Sequence, residues 1–70
     1  MTLDEVKVGH SCTVLAIKIK DNSVLRIMSL GIIEQTVVKV LTKTKDNLEV
    51  LLEGSRLAIS KELASCIMVV

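Results

Sequence analysis

The chain has 70 residues, half of them apolar, a formal net charge of +1 and no Phe, Tyr or Trp. A chain this short holds a single domain, residues 1–70, with a small aliphatic core and modest stability. Without aromatics it has no platform on which to stack single-stranded nucleic acid, and its near-neutral charge argues against a surface that tracks phosphates.

The opening Thr2-Leu3-Asp4-Glu5 fits a capping box, in which the Thr2 hydroxyl and the Glu5 carboxylate accept orphan N–H groups of one helical turn. Val8-Gly9 marks a turn, and the β-branched and aliphatic run Ser11–Ile17 predicts a strand. Asp21-Asn22-Ser23 is a turn cluster that supplies an N-cap. A short amphipathic helix then runs from Val24 to Leu30, with Val24, Ile27 and Met28 on one face. Gly31 stands where a left-handed residue closes such a helix.

The next strand is predicted over Gln35–Leu41, with Val38 and Val40 on one face and Val37, Lys39 and Leu41 on the other. Lys43–Asn47 is a polar loop. Leu48–Glu53 alternates clearly, with Leu48, Val50 and Leu52 facing one way. Gly54-Ser55 reads as a two-residue hairpin turn of the Gly-X kind. The return strand Arg56–Ser60 places Leu57 and Ile59 inward, Ser60 caps a short turn over Lys61–Ala64, and Cys66–Val70 closes the chain as a strand. Five short strands, one helix and one or two helical turns with hairpin connections predict a mainly β fold closing into a small, partly open barrel.

No catalytic constellation stands out, so the chain reads as a non-enzyme. It has one His, no glycine-rich phosphate loop, and the adjacent acids Asp4-Glu5 look like partners of a helix dipole. His10 and Cys12 sit two apart on a strand and are the weak metal candidates; Cys66 and Glu62 are the only further ligands on offer. Against this, His10 reads as a surface turn residue and Cys12 as a small buried hydrophobe. Asp4, Glu5 and Lys7 interrupt any signal-peptide core, and the longest apolar run is too short to span a bilayer. Two cysteines are too few for a disulfide scaffold, and a cytoplasmic chain with reduced thiols is expected, a Cys12–Cys66 bridge being left open. Lys39, Lys43, Lys45 and Arg56 form at most a solvated basic face offset by Asp46, Glu49 and Glu53.

The apolar excess is more telling. Met28, Leu30, Ile32 and Ile33 cluster around Gly31, and so small a domain cannot bury them all together with Leu41, Leu51 and Met68. Exposed apolar surface there points to a partner site on Leu25, Met28, Leu30, Gly31, Ile32 and Ile33. The alternative is that this helix is simply the lid of the barrel, and weak self-association through the same corner is left open.

Across nearly its whole length the chain resembles the FeoA family. The pieces are Leu3 with Val8-Gly9, the stretch Leu25-Arg26-Ile27-Met28-Ser29-Leu30-Gly31-Ile32, Val38-Lys39-Val40, Gly54 with Leu57-Ala58-Ile59, and Ala64, Ile67 and Val69. Their order and spacing carry the likeness. The family usually has proline-glycine where this chain has Glu34-Gln35, which should change the turn entering the strand.

The resemblance implies an SH3-like β-barrel of about five strands and a bacterial accessory role in ferrous-iron transport, with the cytosolic part of a FeoB-type membrane transporter as partner. The missing aromatics and weak charge argue against nucleic acid, and no apolar run is long enough for membrane insertion. Ferrous iron is the one metal the resemblance suggests, for a carrier or sensor as the alternative function, although the chain shows no iron ligand set. A nucleic-acid-binding small barrel is the lesser alternative.

Overall fold

The computed structural model describes residues 1–18 and 31–70; the helix expected over Val24–Leu30 lies outside them. After one 3₁₀ turn at Leu3–Glu5 come strands β1 (Ser11–Ile17), β2 (Val37–Lys43), β3 (Asn47–Leu52) and β4 (Ser55–Ser60), the helical turn α1 (Lys61–Ala64) and strand β5 (Ile67–Val69). The strands form one antiparallel sheet in the order β4-β3-β2-β1-β5. The mainly β, five-stranded expectation is met, and β1 matches its predicted bounds to the residue.

The sheet wraps around its core because β1 serves two neighbours. Its first half, Ser11–Thr13, pairs with Lys39–Val37 of β2. Its second half, Val14–Ile17, pairs with β5. Leu15 is an extra residue where the β1–β5 register shifts, and Leu41 is another where β2 pairs with β3. Such bulges bend a strand and increase its twist, which lets a short sheet curl. The Leu41 bulge also reverses the alternation of β2, so that Lys43 points back toward the 3₁₀ turn and its Nζ donates to the Asp4 carbonyl at 2.8 Å.

The core is aliphatic apart from Cys12. Leu3, Val14, Ile32, Val38, Val40, Leu48, Val50 and Ile67 carry almost no accessible surface, with Ile59, Ala64 and Val69 beside them. Removal of such side chains from water is the main favourable term in the fold. The first residues act as a short additional strand: the Val69 N–H donates to the Met1 carbonyl at 2.9 Å, and Thr2 bridges to Met68.

Several predicted boundaries moved by one or two residues, two of them for a conformational reason. β2 begins at Val37 instead of Gln35, because Gln35 has φ 71° and sits in a turn. The β3–β4 turn is Glu53-Gly54 instead of Gly54-Ser55, since Leu52 pairs directly with Ser55. Both turn residues have positive φ, 49° and 83°. That is a type I′ turn, whose twist matches the flanking strands, and not the Gly-X type II′ turn. The capping expectation for Ser60 holds: its Oγ accepts the Leu63 N–H at 3.1 Å.

Candidate functional site

The corner singled out in the sequence is described from Gly31 onward; Leu25, Met28 and Leu30 lie outside the described residues. Gly31 has φ 92°, and a Cβ there would stand 3.3 Å from Leu52 Cδ2. Only glycine meets both demands easily. Ile32 is a core residue with no exposed surface, so it supports the corner from beneath and offers nothing to a partner in this conformation. Ile33 is 49% exposed. The corner presents Gly31 and Ile33.

From Ile33 the chain enters a tight turn in which the Thr36 N–H donates to the Ile33 carbonyl at 3.2 Å. Positive φ occurs at Gln35 and not at Glu34, which makes this a type II turn. The turn is tied to β1 on both sides: the Gln35 N–H donates to Val14 O at 2.7 Å, and the Val14 N–H to Thr36 O at 2.9 Å. Proline-glycine would suit the same geometry, so placing Glu34-Gln35 here changes the side chains and the strain, and leaves a turn that a proline-glycine pair also makes.

Beside this turn lies a shallow depression of about 580 Å³ on the outward face of the sheet. Its floor is built from Val37 and Lys39 of β2 and Leu51 of β3. Register explains the assembly, because Ser11, Lys39, Leu51 and Arg56 stand in one row across four strands. Glu34 and Gln35 border it on one side and the Glu53-Gly54 turn on the other. Nothing in the sequence reading found this depression, because its lining comes from separate strands and turns that only the register brings together.

The metal candidates fall apart geometrically. His10 is an exposed residue leaving the Gly9 turn, while Cys12 is 7% exposed and faces the core. The Cys12 thiol donates to the Val38 carbonyl at 3.5 Å. Burial pushes its pKa up, which disfavours the thiolate that a metal ligand must be. Cys66 is a free thiol whose Sγ donates to the Glu62 carbonyl at 3.5 Å, and Cys12 is free as well. Among the described residues no three His, Cys, Asp or Glu side chains converge.

The basic residues are likewise dispersed. Arg56 pairs with Glu49 at 3.7 Å and Lys43 is folded onto Asp4. At the N-terminus, the Glu5 carboxylate accepts the Thr2 N–H at 2.8 Å and the Thr2 hydroxyl at 3.0 Å, and these bonds hold its pKa below the usual carboxylate range. Asp4 and Glu5 thus serve the first turn. No helix among the described residues is long and apolar enough to cross a membrane.

The family model of the FeoA domain matches residues 1–70. Among solved structures, the FeoA protein of Chlorobium tepidum superposes with a TM-score of 0.89 at 30% identity, over 99% of this chain and 68% of that one. An iron uptake regulatory protein (FeoA) does so with a TM-score of 0.91 at 27% identity, over 99% and 93%. The FeoA of Stenotrophomonas maltophilia, solved with zinc and described as a prokaryotic SH3 domain protein, gives 0.88 at 24% identity over 100% and 89%, a likeness of fold. The fold is therefore SH3-like. No curated protein matches the sequence.

Proposed function

The chain belongs to the FeoA domain family, and on that footing we propose that it is a non-enzymatic accessory module of ferrous-iron transport that docks on the cytosolic part of a FeoB-type transporter. Accessory service to iron transport comes with the family; the transporter as direct partner is our inference. The observation that carries it is the corner at Gly31–Ile33. A half-exposed isoleucine stands there between a buried neighbour and a hydrogen-bonded turn. An apolar side chain presented on a fixed backbone loses little entropy when a partner covers it.

Direct metal carriage through His10 and Cys12 has less support, because the thiol is buried and bonded to the Val38 carbonyl. The test is capture of the cognate transporter's purified cytosolic domain, with and without guanine nucleotide. Ile33→Asp alters an exposed side chain and should leave the fold intact while weakening capture at least tenfold, as loss of an interface anchor does. Met28→Asp and Leu30→Asp extend the test to the preceding segment. Absence of capture in every nucleotide state, or capture indifferent to all three changes, overturns the reading.

A further inference from the structure

The depression on the outward sheet face is not explained by the docking corner or by the core. Gln35 and Glu53 are the only non-glycine residues with positive φ among the described residues, and both border it. Residues held in such conformations sacrifice stability and tend to gather where a surface is shaped for a ligand. A type II turn favours proline then glycine, and a type I′ turn favours asparagine or glycine at its first central position. This chain puts Glu34, Gln35 and Glu53 there instead, and thereby sets two carboxylates on the rims of the depression.

The two rim carboxylates, Glu34 and Glu53, outnumber the one ammonium of the lining, Lys39. The only ion pair among the described residues joins Arg56 to Glu49, so Glu34 and Glu53 are not neutralised there from within the described chain. Between them the floor offers Val37, 59% exposed, and the half-buried Leu51, with Lys39 beside them. Ser11, Gln35 and Thr36 add hydrogen-bonding groups at the edge. We propose that this depression docks an extended basic segment of another protein, seating one apolar side chain on Val37 and Leu51 and holding flanking lysines or arginines at Glu34 and Glu53. The Lys39 ammonium opposes such a ligand and makes the sign of the charge preference measurable. The inference stands apart from the transporter reading, since its test contains no transporter.

The test is a titration of ¹⁵N-labelled protein at low salt with a capped peptide of alternating lysine and leucine, and with its glutamate–leucine counterpart. Shifts confined to residues 34–39, Leu51 and residues 53–54 with the lysine peptide, and none with the glutamate peptide, are expected. Glu34→Gln combined with Glu53→Gln should weaken binding about fivefold and flatten its salt dependence, as expected for two exposed ion pairs. Lys39→Gln should tighten it about twofold. The amide spectrum of each variant shows whether it has kept its fold. Equal binding of the glutamate peptide, shifts located elsewhere, no binding of the lysine peptide, or a folded double variant that binds unchanged overturns the proposal.

Discussion

The two ends of the β2–β3 ladder meet their local geometry in opposite ways. At one end the residues suit the backbone. Glu5 accepts the Thr2 N–H, Ser60 caps α1, Lys43 reaches the Asp4 carbonyl, and the Thr44 hydroxyl accepts the Asn47 N–H at 3.1 Å. At the other end, two turns hold Gln35 and Glu53 at positive φ, where L side chains crowd their own backbone. The first end closes the barrel over α1 and the 3₁₀ turn. The second carries both the exposed corner and the depression. The contrast teaches that, among the described residues, the chain places its left-handed non-glycine residues on the face that carries the corner and the depression.

The sharpest way to break that comparison lies within two adjacent residues. Ile32→Ala removes a side chain with no exposed surface and should cost about 2–4 kcal/mol, which a domain of this size can barely tolerate. Ile33→Ala, half exposed, should cost no more than about 0.5 kcal/mol. Urea denaturation of the two variants measures the difference. Similar losses would mean that Ile33 belongs to the core and that the corner presents no apolar surface.

Gly31→Ala is the next largest. A φ of 92° and an added Cβ 3.3 Å from Leu52 Cδ2 together should cost about 1–2 kcal/mol. The same denaturation curve reads it, and a neutral outcome would show that the backbone there relaxes freely.

The two ends should also respond with opposite sign to a change of turn residue. Ser60→Ala removes a cap at the suited end and should destabilise by about 1 kcal/mol. Gln35→Gly relieves a left-handed residue at the strained end and should stabilise by up to about 1 kcal/mol, partly offset by the extra freedom of glycine in the unfolded chain. Thermal unfolding of both gives the signs directly. A destabilised Gln35→Gly would mean that the Gln35 side chain does structural work.

What was legible in the sequence follows the same division. Where residues obeyed local rules the elements could be read: β1 to the residue, the inward set Leu48, Val50 and Leu52, and the Ser60 cap. Among the boundaries that moved, those at Gln35 and Glu53 did so because neither residue type announces a positive φ. The bulges at Leu15 and Leu41 were invisible, since alternation along one strand does not record what it pairs with. At the corner, composition showed that some of the apolar cluster must be exposed but could not say which member; the structure puts Ile32 inside and Ile33 outside. The depression needed the register of four strands, which no single segment encodes.

The smallest expected effect tests whether the suited end owes part of its stability to charge. Glu5 is held below the usual carboxylate range by accepting from the Thr2 N–H and hydroxyl. A carboxyl with a lowered folded-state pKa binds protons less readily when folded. Its contribution is therefore complete above the ordinary glutamate value and is lost as pH falls through the folded one. Glu5→Gln should lower the melting temperature slightly at neutral pH, and the gap to the unmodified chain should close as the solution is taken toward pH ~3. A gap that stays constant over that range would show that the carboxamide loses something other than charge, and that the first turn is held by its backbone bonds and by the burial of Leu3.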